Sequence, residues 1–479
     1  MRRRSWPAMS LVAPLGLAAI LVPGTATEVA RASSDPTPAL NTGMVSAIAG
    51  GPDGLVALVG RFRDAVTIGD RTIRSAGGRD GIVIVRDADG DLRWVRRIGS
   101  PDDDEASVVA FGPDGMLYVG GVVRARPRIG AEPIVDPWTQ DNLSQDVRYV
   151  AAFSTDGSLR WFRHWPDDFT YVAGLAADAT GRVWVAEQCF YRREALGLTL
   201  TRLDDTGASL ARPAGARASD CTGGGNGVSL SRMRIDDAGR LLVVGQMRDT
   251  LDWRSVGIGT STASRGATLT ARGRAEDESF GWVTDGFLAR VTTDGRLDWA
   301  IRMGRPRATS GDTDPSRDAS GEGLSAVAIG PDGMIYVSGD VYGTMRRPHP
   351  AWTLVSPGGV VRGDWRSGRS AGTVETTIDL FADGDTLVQR DVSPGKAALL
   401  RIRPDGTRRW ARSLHGLGPT SGARKIVIAP GDRVLALVYV SRFAGLRVAD
   451  RVLRAGVRSY QAVVTINPDG RVVRIDRIR

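Results

Sequence analysis

The chain has 479 residues, 42% apolar and only 6% aromatic, with 60 glycines and two cysteines. That is enough apolar content for a sizeable core, and so many glycines favour short strands and tight turns. The formal charge of +9 is nearly all arginine, Lys396 and Lys425 being the only lysines, and the arginines are scattered among aspartates with no run of like charge, which is not a nucleic-acid footprint.

Residues 1–32 read as a secretory signal. Arg2, Arg3 and Arg4 precede an apolar stretch at 9–22 that proline and glycine break and that is short for a membrane span. Ala30-Arg31-Ala32 is a small-x-small cleavage site, with Thr25-Ala26-Thr27 as the rival and an uncleaved anchor as the alternative. Cleavage places the mature start near Ser33 and lowers the charge to +6. The only cysteines, Cys189 and Cys221, lie far downstream, which excludes lipoprotein processing, and no later apolar run has spanning length. The expected location is periplasmic or secreted.

From there the chain is a recurrence. A turn followed by alternating apolar residues appears as G-P-D-G-L-V-A-L-V-G at 51–60 and G-P-D-G-M-L-Y-V-G-G at 112–121. It returns as D-A-T-G-R-V-W-V from Asp178, D-D-A-G-R-L-L-V from Asp236 and G-P-D-G-M-I-Y-V at 330–337. The last copies are F-A-D-G-D-T-L-V from Phe381 and A-P-G-D-R-V-L-A from Ala429. Each copy is partnered by a second turn line, of which D-A-D-G-D-L-R-W ending at Trp94 and S-T-D-G-S-L-R-W ending at Trp161 are the clearest. Two hairpins per unit make four strands, a to d, and glycine serves the turns because a tight hairpin demands positive φ. The aspartates of these lines are expected to bond the local backbone rather than to ligate or catalyse.

Seven such units without helical periodicity predict an all-β protein: a β-propeller of four-stranded blades, most simply seven, with six or eight as alternatives. Radial closure protects strand edges that an open sheet of this size would expose. The domain reading is signal 1–32, linker 33–44 and a single propeller over 45–479. Residues 33–44 have the option of adding an edge strand to the last blade. The b–c connections vary most. The longest carries an insertion at 255–282, rich in Ser, Thr, Gly and Arg, that reads as an ordered excursion or a flexible loop.

The acidic run Pro101-Asp102-Asp103-Asp104-Glu105, followed by V-V-A-F-G-P-D-G-M-L-Y-V-G-G, resembles bacterial secreted β-propeller repeats of the SBBP type, as does the line around Val147–Trp161. That resemblance implies an exported propeller and supplies no active site. The G-x-x-x-W spacings Gly90–Trp94, Gly157–Trp161, Gly295–Trp299 and Gly406–Trp410 are also similar to the tryptophan-docking motif of quinoprotein propellers. There the indole packs between neighbouring blades.

Candidate chemistry is sparse. His164, His349 and His415 sit in different units without ligand spacing, and the vicinal cysteines expected of a quinoprotein dehydrogenase are missing. No residue is assigned a catalytic or cofactor-binding role. The acidic loop Asp312, Asp314, Asp318 and Glu322 is a weak calcium candidate, because hard cations want clustered oxygens. It departs from the EF-hand pattern, with Arg317 where glycine belongs. Cys189, just after strand b of unit three, and Cys221, in the following d–a link, map to one face of one blade. In an oxidising compartment they are expected to form a disulfide. That face also collects the irregular segments 125–146, 211–226, 255–282 and 304–323, against tight turns on the other.

Binding residues tend to ride on variable loops over a rigid scaffold. The expectation is therefore a monomeric exported interaction module that binds a protein or glycan through its loop-rich face. The alternatives are a hydrolase or lyase at the central channel mouth and a cell-envelope scaffold.

Overall fold

The computed structural model describes residues 44–478, apart from 135–146, 167–169, 192–193, 211–226, 261–263, 272–284, 304–321, 343–347, 367–373, 394–395, 404–406, 417–421, 457–458 and the single positions 69, 125, 131, 249, 259, 331, 382, 384 and 444. Seven antiparallel blades form a β-propeller. Their inner strands, each designated a, are Met44–Gly50, Glu105–Phe111, Thr170–Ala177, Val228–Ile235, Glu322–Ile329, Val374–Leu380 and Gly422–Ala429. In every blade strand a pairs only with b, and c and d follow outward. Blade 3 departs from this among the described residues: it has three strands, with a single bridge from Leu203 to Ser209 in the place of the fourth.

The seven a–b turns and the c–d turns emerge on one face, and the b–c and d–a connections on the other. Turn chemistry is the expected kind. Gly90, at φ +83°, donates its N–H to Asp87 O, while Asp87 N–H donates to Asp91 O. Aspartates of these turns accept from the backbone two residues on, as Asp114 does from Met116 N–H at 3.1 Å.

Strand d of one blade reaches the c–d turn of the next. The Trp94 indole N–H donates to Thr155 O (3.0 Å), that of Trp299 to Pro357 O (3.1 Å) and that of Trp410 to Pro468 O (2.9 Å). In each case the acceptor lies two residues before the turn glycine, and a Cβ on Gly157, Gly359 or Gly470 would strike the ring. The G-x-x-x-W spacing is thus an inter-blade contact. Blade 3 lacks the tryptophan, and Arg202 of its strand c supplies the donor to Thr293 O of blade 4 instead.

Three b–c excursions fold back on the preceding blade. Arg128–Ile129 adds to strand d of blade 1 (Leu92–Gly99), and Leu446–Val448 adds to strand d of blade 6 (Arg408–Gly416). The insertion at 255–282 is ordered where it is described. Thr268–Thr270 pairs with Thr250–Asp252, and the 3-10 turn Trp253–Val256 packs into the core shared with Leu198 and Leu200 of three-stranded blade 3. These segments cover strand edges, so part of the irregular sequence assigned to a binding face protects the scaffold.

All four strands of blade 7 come from Gly422–Ile478, and among the described residues the ring closes by side chains rather than by a shared sheet. Gln461 accepts from Val45 N–H at 2.8 Å and donates to Val45 O at 3.2 Å. Beneath this link Val45, Ile48, Leu58 and Ile84 pack on Leu435, Leu437, Val463 and Ile478.

Candidate functional site

The inner strands carry a common irregularity. All seven a–b pairs contain a register shift, between Val45/Ala47, Ala106/Val108, Val172/Gly174, Leu230/Arg232, Leu324/Ala326, Thr377/Asp379 and Ala423/Lys425. A bulge adds one unpaired residue, bends the strand and re-aims side chains. Here the extra residue is Ser46, Ser107, Ala173, Ser231, Ser325, Ile378 or Arg424. The ring of bulges divides the channel into a loop-face mouth and a turn-face portion.

At the loop-face mouth a polar arc runs across blades 1 to 4. Glu105 accepts from Ser46 Oγ at 2.8 Å and from Arg61 Nη1 at 3.0 Å. Tyr171 Oη donates to Gln188 Oε1 at 3.2 Å, and Gln188 Nε2 donates to Ser229 Oγ at 3.2 Å. Between these groups the buried pair Arg148–Glu187 joins blade 2 to blade 3 at 3.3 Å. The arc has equal numbers of guanidinium and carboxylate groups and is otherwise hydroxyl, amide and one aromatic ring. Each of its carboxylates already holds a guanidinium.

The turn-face portion is different. Three residues before the second a–b turn position stand Ala49, Ala110, Ala176, Arg234, Ala328, Asp379 and Val427. Five are small or aliphatic, and the two exceptions are an ion pair. Arg234 meets Asp379 directly, and Arg232 Nη1 lies 3.6 Å from the same carboxylate. Blade 4 is so tied to blade 6 past the alanines of blade 5. Burial pulls the Arg232 guanidinium below the usual arginine range, against the attraction of Asp379.

Two further buried acids hold the link from blade 1 to blade 2. Asp104 accepts from Ser100 Oγ at 3.0 Å and Arg124 N–H at 2.8 Å, and burial raises its pKa to about 7. Asp80 accepts from Ala76 N–H at 2.9 Å and faces Arg97 at 3.1 Å, and burial raises it to about 6.

The residues singled out in the sequence are only partly placed. Cys189 lies inside strand b of blade 3 (Val183–Tyr191), opposite Thr170 and Gly197, rather than after it, because that b–c hairpin is short and its strands run on to Tyr191 and Glu194. Cys221 falls outside the described residues, as do Asp312, Asp314 and Asp318. Glu322 is the first residue of strand a of blade 5. Among the described residues no three His, Cys, Asp or Glu side chains gather where a metal ion would sit. His164 lies on strand d of blade 2 (Leu159–Pro166), its ring centroid 6.5 Å from Phe162, and His415 Nδ1 lies 3.4 Å from Ala397 O. No helix among the described residues is long and apolar enough to cross a membrane.

The sequence reading missed both channel features. The signal for the ion pair was present: an Arg and an Asp at a position that is Ala or Val in the other five repeats. The polar arc had no such signal, because its members come from different strands of four blades.

No protein-family model matches the chain. A stretch of 84 residues is 38% identical to the Regulatory protein FlaEY of Caulobacter vibrioides, covering 18% of this chain and 8% of that protein. Similar solved structures include puromycin hydrolase (TM-score 0.46, 15% identity), over 92% of this chain and 55% of that one. The β-propeller domain of the Trilobed protease from Pyrococcus furiosus has a TM-score of 0.44 and 10% identity, over 88% of this chain and 93% of that one. The chain therefore spans about half of puromycin hydrolase and under a tenth of the FlaEY protein.

Proposed function

We propose that this propeller is an exported binding module, related to secreted β-propeller repeats of the SBBP type, whose loop-rich face takes a protein or glycan ligand. The observation that carries this is the polar arc at the loop-face channel mouth: Arg61, Ser46, Glu105, Tyr171, Gln188 and Ser229 converge there from four blades. A charge-balanced arc of hydroxyls, amides and one ring suits a neutral, hydroxyl-rich ligand, and a glycan fits that chemistry best. The rigid blades hold these groups in place, so little ordering entropy opposes binding.

The test is binding of envelope glycans and envelope proteins to the purified mature chain, with Tyr171→Ala and Arg61→Ala as probes. Loss of binding in both variants with unchanged thermal unfolding supports the reading. Binding that survives both, or that maps to the turn face, overturns it.

Export is tested separately, by sequencing the native N-terminus and by alkylating unreduced protein. A start near Ser33 and a protected Cys189–Cys221 pair are expected. A cytoplasmic chain starting at Met1 refutes export, and two free thiols refute the disulfide.

A further inference from the structure

The excursion between strands b and c of blade 7 carries charge that the fold does not use. Its hairpin, Leu446–Val448 with Arg451–Leu453, lies on strand d of blade 6, where Val448 stands opposite Leu414 and Arg447 opposite His415. Leu446, Val448 and Leu453 turn inward and are buried with Leu414. The alternate residues Arg447 and Val452 form a cross-strand pair on the other face and are exposed, as are Arg442, Arg451 and Arg454. Four guanidiniums thus stand against the single carboxylate of Asp450.

None of the four makes an ion pair with a described residue. In the excursion of blade 4, by contrast, Arg254 holds Asp252 at 3.2 Å and Arg265 donates to Gly358 O and Gly359 O, so those cations serve the fold. The apolar tip of the blade 7 excursion is pinned as well. Phe443 is 82% exposed, yet its N–H donates to Ser441 Oγ at 3.2 Å and the Arg442 N–H to Ser459 Oγ at 2.9 Å. The Arg442 guanidinium lies 4.4 Å from the phenyl centroid. A bonded turn therefore holds an aromatic ring in water beside a cation. Each strand of the hairpin has three residues and is about 10 Å long, so the ring and the charges stay together at one place on the loop-face rim.

We propose that this rim docks on an anionic lipid surface, Phe443 entering the boundary of the hydrocarbon while Arg442, Arg447, Arg451 and Arg454 stay at the phosphates. The excess of guanidinium selects the sign of the surface, because a zwitterionic bilayer offers it no net attraction. One ring supplies little apolar area, so docking needs the ring and the charges together. Arginine suits the boundary, since its stem lies along hydrocarbon while its head stays in water. The inference goes beyond the ligand reading and does not depend on it. The polar arc is built by blades 1 to 4 and the rim by blades 6 and 7, so the two fail separately.

The experiment is co-sedimentation of the mature chain with vesicles of phosphatidylglycerol and phosphatidylcholine in equal parts, against vesicles of phosphatidylcholine alone. Binding is expected to the anionic vesicles only, and salt at about 1 M, where the Debye length falls to about 3 Å, should release it. Arg447→Gln and Arg451→Gln should each weaken binding about fivefold. Phe443→Ser should weaken it about tenfold, and Phe443→Trp should retain it. All four variants should unfold at the parent's Tm, because each replaces an exposed side chain. Equal binding to both vesicles, binding to neither, or variants that bind as the parent does overturn the proposal. Binding to poly-glutamate that Phe443→Ser weakens as much as it weakens vesicle binding also overturns it, since the partner would then be an acidic protein.

Discussion

Gln461 of the last blade and Val45 of the first exchange two hydrogen bonds, the side-chain amide satisfying both the N–H and the C=O of one residue. No strand from the opposite end of the described chain is woven into blade 7, so this exchange and the apolar packing beneath it hold the ring shut. Gln461→Leu keeps the volume and orphans two buried backbone groups. Each such group costs about 1–3 kcal/mol, and we expect a loss of that order per group in urea unfolding. A variant as stable as the parent would place closure elsewhere.

The inter-blade tryptophans make a second prediction. Gly470 sits at φ +81°, and a Cβ there would lie 2.7 Å from the Trp410 ring. Gly470→Ala thus meets backbone strain and a clash together, and a destabilisation of roughly 2–4 kcal/mol is expected. Gly431 also has positive φ (+76°) but nothing within 4 Å. Gly431→Ala should cost about 1 kcal/mol, the backbone share alone. Equal losses in the two variants would remove the docking contact from the account.

How far the sequence went follows from what repeats in it. Turn glycines, alternating apolar strands and the G-x-x-x-W spacing recur locally, so seven blades and the docked indoles were legible from Gly51 to Trp410. The covering of blade 3 by Trp253 was not, because an insertion in one repeat says nothing about which neighbour it packs against. Ring closure by Gln461 was hidden for the same reason: its partner lies 416 residues away. The polar arc depends on the bulges that bring strands of four blades to one mouth, and a bulge leaves no composition signal beyond an extra small residue such as Ser46 or Ser107.

The ion pair in the channel was legible but reads two ways, as a brace or as a site, and mutation separates its energetic share. Asp379→Ala removes a buried carboxylate and leaves the two half-buried guanidiniums of Arg232 and Arg234 facing each other, and should cost about 1–3 kcal/mol. Replacing all three residues by alanine gives the Arg234 and Asp379 positions the residue that four of the other five repeats already have there. That triple variant should be clearly more stable than Asp379→Ala alone in chemical denaturation. If it is worse, the charges brace the channel rather than tolerate one another.

The last prediction concerns pH. Asp104 and Asp80 have folded pKa values raised by burial to about 7 and about 6, above the 3.8 of a free side chain. The folded state therefore holds more protons than the unfolded chain between about pH 4 and pH 7. Stability from this pair is fully present below about pH 4 and is lost as pH rises through the folded values. Exposed turn aspartates act in the opposite sense and lower down. Asp156, held to about 2 by bonds from Ser154 and Ser158, contributes stability above 3.8 that disappears only as pH falls toward 2. The two windows do not overlap, so the Tm difference between parent and variant isolates the buried pair. Asp80→Asn is the cleaner variant: one amide oxygen can accept from both Ala76 and Arg97, and the Oδ1 it replaces has no partner. Relative to the parent, this variant should gain stability as pH rises from 4 to 7 and show no gain below 4. A parent and variant whose Tm profiles run parallel across that range would show that Asp80 is ionised in the fold throughout.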